Sequence, residues 1–177
     1  MKLRRVAPLG IGALLVVVMI GTSYGVTSKT FKYNQPKTGY LTITNGGLAP
    51  DDISENYANH WTDGLSAGSH ACFNTSINLP HKSKMKRIRY FFSSNASSDL
   101  YAEIHRVDLS TGSAPKYSPA LDISNDAGPY GGETVPVPAN RQLIDNKKFA
   151  YGLGICLGQG TVFRAARIEY TYQTAGD

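Results

Sequence analysis

The sequence contains little of what several common protein classes require. Only two cysteines and one tryptophan occur among its 177 residues, which excludes a miniprotein held by many disulfides and a four-cysteine zinc site. Charged residues make up 18% of the chain and hydrophobic residues 41%, whereas a disordered chain carries more charge and fewer apolar side chains. This length and composition predict one globular domain with its own core.

Helical periodicity is nearly absent beyond residue 70, and short segments that alternate between polar and apolar residues replace it. In the last of them, Phe163 is expected to share a face with Arg167 and Glu169. Turn residues separate the segments, which predicts an all-β fold, a single antiparallel β-sandwich of jelly-roll-like form. The alternating segments are 38–44, 71–79, 85–93, 100–109, 120–123, 149–157 and 162–172.

Three other segments lead to separate expectations. Apolar and aromatic residues spaced by four predict a short helix over 52–59. Residues 113–132 are rich in Ser, Pro and Gly, so we expect them to be largely irregular apart from the short strand at 120–123. Residues 145–148 are expected to connect 141–144 and 149–157 as a hairpin.

The first 25 residues have the layout of a secretory signal peptide. The basic residues Lys2, Arg4 and Arg5 precede an uncharged apolar run, and small residues stand where a peptidase would cleave after position 25. The apolar run is shorter than the about 20 residues of a membrane span, although a retained anchor is the alternative. The predicted organisation is a signal peptide (1–25), an N-terminal extension (26–37), a β-sandwich domain (38–173) and a C-terminal tail (174–177).

Cleavage of the signal peptide would remove most of the net charge. The whole chain carries +5, from 18 basic and 13 acidic residues. Three of the basic residues and none of the acidic ones lie in the first 25 positions, so the mature chain would carry +2. A charge this small does not favour nucleic acid as a partner.

Export would also place the two cysteines in an oxidising compartment, which favours a disulfide between Cys72 and Cys156. They lie 84 residues apart, and a cross-link closing so long a loop stabilises a protein by about 4.5 kcal/mol in the chain-entropy model. Two buried free thiols are the alternative. A catalytic cysteine is disfavoured because no nearby pattern supplies a base.

Several short segments mark turns and strands in a recognisable order. They are Leu79-Pro80, LYAEIHRVDLSTG at 100–112, LIDNKKFAYGLGICL at 143–157 and RIEYTY at 167–172. This order resembles a loose group of uncharacterised exported bacterial proteins, with the resemblance covering residues 38–172. It implies a jelly-roll-like β-sandwich and brings no catalytic residues. The chain departs from the group after Leu79-Pro80, where residues 81–84 replace the usual acidic or glycine turn.

The single tryptophan lies in a segment whose residue types suit sugar binding. Sugar C–H faces stack on aromatic rings, while sugar hydroxyls bond to polar side chains. The alternative is that Tyr57 and Trp61 cover one end of the sandwich. The candidate carbohydrate-binding residues are Tyr57, His60, Trp61 and Asp63.

The densest run of positive charge consists of Lys82, Lys84, Lys86, Arg87 and Arg89. Regular strand alternation would place Lys84 and Lys86 on one face and the two arginines on the other. The run is a candidate contact for an anionic surface, such as teichoic acid, lipid headgroups or acidic polysaccharide. The alternative is a solvated strand start whose lysines protect a sheet edge from pairing.

Residues 64–68 match the G-x-S-x-G pattern, with Ser66 at the centre. A serine hydrolase needs this serine on a sharp turn between a strand and a helix. Here a polar segment precedes it and a strand follows, so we interpret the segment as a glycine-rich loop. The histidines, at positions 60, 70, 81 and 105, lack metal-ligand spacing, so neither a metal site nor a cofactor is expected.

The sequence therefore predicts a secreted or extracytoplasmic, non-enzymatic β-sandwich protein with a surface, envelope or interaction role. The alternatives are a small carbohydrate-binding module centred on Trp61 and, third, a secreted serine hydrolase using Ser66. Expected partners are cell-surface polysaccharide or another envelope protein, but not nucleic acid. No stable membrane span is expected once the signal is cleaved, and no oligomeric state is indicated.

Overall fold

In a computed structural model of the protein, residues 31–52, 56–95, 99–115, 117, 120–124 and 128–175 are described. The predicted signal peptide lies outside them. They form eleven strands and two single-turn 3-10 helices, Asn45–Gly47 and Ala139–Arg141. None of the helices in these ranges is long and apolar enough to cross a membrane. The strands are β1 (Phe31–Thr44), β2 (Ala49–Pro50), β3 (Tyr57–His60), β4 (Gly64–Ala67), β5 (Ala71–Ile77), β6 (Lys84–Ser94), β7 (Asp99–Asp108), β8 (Leu121–Ser124), β9 (Gly128–Pro136), β10 (Phe149–Leu157) and β11 (Val162–Ala175).

The described strands form two antiparallel sheets that pack face to face. Sheet 1 has the order β3-β4-β11-β6-β9, with β1 also paired to β11, and sheet 2 has the order β2-β5-β10-β7-β8. From β4 to β7 and again from β8 to β11, each strand lies in the opposite sheet from the strand before it. This crossing between sheets is the jelly-roll arrangement, so the predicted β-sandwich is confirmed.

The core lies between the sheets and consists of the inward-facing residues of the central strands. Ile88 and Ile168 from sheet 1 meet Ile104 and Leu153 from sheet 2, and all four are fully buried. Along β10, every second side chain from Tyr151 to Leu157 is buried, as expected of a strand with one face on a core. The predicted strand at 149–157 has the same bounds as β10.

A bulge in β11 changes which residues face the core. The pairing of β11 with β6 shifts between Phe163 and Ala165, so one residue, Arg164, is extra. Phe163 is consequently buried on the same side as Ala166 and Ile168. The expectation that Phe163 shares a face with Arg167 is wrong, because regular alternation does not continue through a bulge.

A second bulge lies in β6, where the pairing with β11 shifts between Met85 and Arg87. Met85 and Ile88 both face the core, although they are three residues apart. Lys84 therefore lies on the same outer side as Arg87 and Arg89. The predicted division of the two arginines from Lys84 is wrong for the same reason as in β11.

Two expectations about the connecting segments need correction. Residues 113–132 contain β8, as expected, and also the start of β9, which the glycines at 131 and 132 obscured. Residues 145–148 form a turn in which the Asp145 carbonyl accepts bonds from the N–H groups of Lys148 and Phe149. They are not a hairpin, because β10 pairs with β5 and β7, and residues 141–144 form no strand.

The helix expected over 52–59 is also wrong where the structure describes it. Residues 53–55 lie outside the described residues, and Tyr57–His60 is β3, which pairs with β4.

The first and last strands, β1 and β11, reach beyond the predicted limits of the β-sandwich domain. Residues 31–37 belong to β1, and β11 continues to Ala175.

Candidate functional site

The outer face of sheet 1 carries a concentration of arginine and aromatic side chains, which we call the arginine face. One row across it, from strand to strand, is Thr42, Arg167, Arg89 and Thr134. The next row is Tyr40, Glu169, Arg87 and Pro136. The arginine face is defined by Arg87, Arg89, Arg164, Arg167 and Glu169 together with Tyr40, Trp61, Phe91 and Tyr130.

At the centre of this face, two guanidinium groups lie against aromatic rings. The Cζ atoms of Arg89 and Arg167 are 5.2 and 5.6 Å from the centre of the Phe91 ring. Arg167 also lies 5.5 Å from the ring centre of Tyr40. Such cation–π contacts hold the arginine side chains along the sheet while leaving their N–H groups available.

The charges on this face are only partly balanced. Arg87 bonds to Glu169, with its Nη2 and Nε atoms 2.7 and 2.8 Å from one carboxylate oxygen. Within the described part of the chain, neither Arg89 nor Arg167 makes an ion pair or a hydrogen bond. The centre of the face is therefore positively charged and offers unsatisfied donors.

One end of the arginine face is formed by Trp61, in the turn between β3 and β4. The Trp61 side chain is 82% exposed, and its ring lies over Gly46, where a Cβ atom would be 3.1 Å from the indole. Arg164 adjoins it, donating to the Thr62 carbonyl at 2.8 Å and lying 5.4 Å from the ring centre of Tyr130. Arg164 thus contacts both the Trp61 turn and the exposed ring of Tyr130.

Hydrogen bonds from Asn45 fix the position of the Trp61 turn. The Asn45 side chain, only 5% exposed, donates to Asn59 Oδ1 and to the His60 carbonyl, both at 2.9 Å. The Asn59 side chain in turn donates to the Asn45 carbonyl at 3.1 Å. A small cavity of about 270 Å³ lies beside this junction, between Trp61 and Arg164.

Of the four candidate carbohydrate-binding residues, His60, Trp61 and Asp63 lie together at the Trp61 turn. His60 and Asp63 flank the Trp61 turn, and Asp63 accepts a bond from Thr62 Oγ1 at 3.2 Å. Tyr57 lies at the other end of β3 and packs edge-on against the buried Phe73, with ring centres 5.2 Å apart. Tyr57 therefore supports the core, whereas Trp61 does not cover it.

The basic run is divided among different environments. Lys82 occupies a turn with φ 64°, and Lys86 Nζ donates to Gln142 Oε1 at 2.8 Å. Lys84 lies at the exposed start of β6. Of the run, the arginine face as defined above includes Arg87 and Arg89, which lie opposite Glu169 and Arg167 of β11.

Cys72 and Cys156 form a disulfide, which confirms the predicted pairing. They lie opposite each other on β5 and β10, with Cα atoms 4.0 Å apart. A ring nitrogen of His70 lies within 4.8 Å of both sulfurs. Sulfurs bonded to each other supply no thiolate to a metal ion, so this group is not a metal site.

The outer face of sheet 2 has a groove of about 480 Å³ in which both acidic side chains are hydrogen-bonded to a neighbour. Tyr101 donates to Glu103 at 2.6 Å, and Asn74 donates to a carboxylate oxygen of Asp51. The His105 ring lies over Gly152, where a Cβ atom would be 2.5 Å from Nε2. Because the acidic side chains of this groove are bonded to their neighbours, whereas the two central arginines are not bonded to any described residue, the arginine face is the stronger candidate site.

Ser66 lies in the extended strand β4, where it is paired with Ala58 of β3 on one side and with Val162 of β11 on the other. The interpretation of residues 64–68 as a loop is therefore wrong, because most of the segment is paired in sheet 1. Within the described ranges, Ser66 bonds to no histidine or carboxylate. An extended strand also lacks the sharp turn that activates a hydrolase serine.

No protein-family model and no curated protein matches the chain. Among solved structures, it is similar to the xylan-binding module CBM15 (13% identity, 77% of this chain and 100% of that one, TM-score 0.46). It is also similar to CBM35 from Paenibacillus barcinonensis (9% identity, 82% and 99%, TM-score 0.38).

A family two carbohydrate esterase from Cellvibrio japonicus matches over 79% of this chain, with 15% identity and a TM-score of 0.40, but this chain spans only 36% of the esterase. Because all three TM-scores lie below 0.5, the ligands of these proteins are not transferred to this chain. The resemblance to exported β-sandwich proteins holds for the fold alone.

Proposed function

We propose that the protein is an exported, non-catalytic module that binds a polysaccharide on the arginine face. The observation that carries this proposal is the exposure of three aromatic rings on that face. Trp61, Tyr40 and Tyr130 are 82%, 59% and 58% exposed. Exposed apolar groups gathered on one surface of a soluble protein mark an interaction site more often than scattered ones do.

The chemistry of the face suits a sugar chain. Aromatic rings offer flat apolar surfaces to the C–H faces of sugars, and guanidinium groups donate hydrogen bonds to their hydroxyls. Along β11, the distance from Ala165 to Glu169 is about 13 Å at the usual rise of a strand. An extended polymer can therefore contact both Trp61 and Tyr40, which lie beside opposite ends of this stretch.

Export and the absence of catalysis are part of the same proposal. The disulfide between Cys72 and Cys156 suits an oxidising compartment. A module outside the cell membrane that binds sugar chains would attach to cell-surface polysaccharide. Another envelope protein as the partner is less well supported, because arginine between exposed rings suits sugar rings and their substituents.

Affinity electrophoresis tests the proposal. The native protein is run in gels that contain a soluble polysaccharide, and binding slows its migration. We expect Trp61→Ala to lose most of this retardation. Leu109→Ala is the matched control, because Leu109 is also an exposed apolar residue, 59% accessible, but follows β7 in sheet 2. Retardation of Trp61→Ala equal to that of the wild type would contradict the proposal.

A further inference from the structure

We infer that the polysaccharide bound on the arginine face is acidic, and that Arg89 and Arg167 recognise carboxylate groups on its sugar rings. This inference rests on the proposed function and adds the chemical class of the ligand. The two arginines are direct neighbours in the register of β6 and β11.

The positions of these arginines make an anionic ligand favourable. Neighbouring strands lie about 4.8 Å apart, and like charges placed opposite each other destabilise a sheet. The aromatic rings beside them carry no full negative charge, and the Glu169 carboxylate on this face is bound to Arg87. A carboxylate lying between Arg89 and Arg167 would relieve the repulsion and accept paired N–H bonds from a planar guanidinium fork.

The aromatic residues favour a sugar acid over other anions. A glycerol phosphate polymer has no ring faces to stack on Trp61 or Tyr40, so those exposed rings would add nothing to its binding. A membrane surface is contacted by clusters of several exposed Lys and Arg side chains. Along β6, Arg87 is paired with Glu169, Lys86 is bonded to Gln142, and Lys84 lies at the start of the strand, so such a cluster is not formed by these residues. Alternating sugar rings and carboxylates match alternating aromatic and guanidinium groups.

Glu169 adds a direction to the site. At the Tyr40 end of the face, the Arg87–Glu169 pair leaves little net charge. At the centre, Arg89 and Arg167 are uncompensated. We therefore expect the ligand to place a carboxylate at the centre and an uncharged ring face against Tyr40.

Affinity electrophoresis with matched polymers tests this inference. Alginate, polygalacturonate and hyaluronate are each compared with a carboxyl-reduced form, which keeps the sugar chain and loses the charge. We expect at least one acidic polymer to bind. Its carboxyl-reduced form should bind more weakly by a factor of about ten or more. Arg89→Gln and Arg167→Gln should weaken acidic binding by a similar factor. Lys147→Gln, which removes the same charge from an exposed turn, should not.

Each other result has a defined meaning. Equal binding of acidic and reduced polymers would overturn the inference and leave the proposed function standing. Binding only to poly(glycerol phosphate), included as a further probe, would also overturn it. A lack of binding to every polysaccharide, charged or neutral, would overturn both the inference and the proposed function. Equal weakening by Lys147→Gln would show that net charge, and not the two arginines, controls binding.

Discussion

Arg89 and Arg167 lie side by side on neighbouring antiparallel strands, and the ring of Phe91 lies within 6 Å of both guanidinium groups, at 5.2 and 5.6 Å. The ring holds the two cations in place without neutralising them. Their arrangement leaves a positive, donor-rich centre on a face whose ends carry exposed aromatic rings. This combination distinguishes the outer face of sheet 1 from that of sheet 2.

A glycine controls how Arg89 lies on this face. A Cβ atom at Gly132 would be 2.5 Å from Arg89 Nε, so Gly132→Ala must displace the Arg89 side chain. We expect weaker retardation by acidic polysaccharide in affinity electrophoresis. Gly152→Ala is the matched control, because its Cβ would lie equally close, 2.5 Å, to His105 in sheet 2. Equal binding by the two variants would show that the position of Arg89 is unimportant.

Asn45 determines how rigidly Trp61 is presented. Asn45→Ala removes the bonds to Asn59 and to the His60 carbonyl, and losing a buried bonded group costs about 1–3 kcal/mol. We expect a lower free energy of unfolding in urea and a lower fluorescence anisotropy of Trp61. Asn140→Ala, at an exposed position in the second 3-10 helix, should change neither. An unchanged anisotropy in Asn45→Ala would contradict this role.

The disulfide should contribute much of the stability. The double variant Cys72→Ala/Cys156→Ala opens an 84-residue loop, and the chain-entropy model predicts a loss of up to about 4.5 kcal/mol in the free energy of unfolding. Urea denaturation measures this loss, and a reducing agent should produce it in the wild type but not in the variant. A denaturation midpoint that is the same in all these samples would show that the disulfide is not stabilising.

High pH should destabilise the fold through buried tyrosines. Burial raises the pKa of Tyr117 and of Tyr151 above the usual value for tyrosine, and burial does the same for Tyr90. Because the folded protein holds these protons more tightly, the stabilisation is complete below a pH of about 10, the pKa in the unfolded chain, and decreases as the pH rises further.

Tyr117→Phe separates this effect from general alkaline denaturation. The variant loses the bond from Tyr117 to the Leu143 carbonyl, 2.8 Å, and about 1 kcal/mol at neutral pH. Above a pH of about 10, the free energy of unfolding of the variant should then decrease less steeply with rising pH than that of the wild type. Tyr130→Phe, at an exposed position, should not change the slope. An unaltered slope in Tyr117→Phe would contradict the account.

Much of the fold is predictable from alternation, as β10 shows. Tyr151, Leu153 and Ile155 face the core, and the residues between them do not. Alternation fails at Arg164 and Lys86, where a bulge adds one residue to a strand and shifts those beyond it. Bulges depend on the pairing partner, which local sequence does not specify.

The candidate site is predictable only in part, for the same reason. Trp61 stands out from its residue type and polar neighbours. Arg167 lies 78 residues beyond Arg89 in the chain and becomes its neighbour only when β11 pairs with β6. The alternation in RIEYTY does place Arg167 and Glu169 on one face. Nothing local identifies that face as the one that Arg89 shares.

The fluorescence of Trp61 tests the central claim most directly. Trp61 is the only tryptophan in the chain, so its emission reports on the arginine face alone. Titration with alginate, polygalacturonate and hyaluronate should produce a saturable change in emission with at least one polymer, as a sugar ring displaces water from the indole. An emission spectrum that stays constant with every acidic and every carboxyl-reduced polymer would contradict polysaccharide binding on this face.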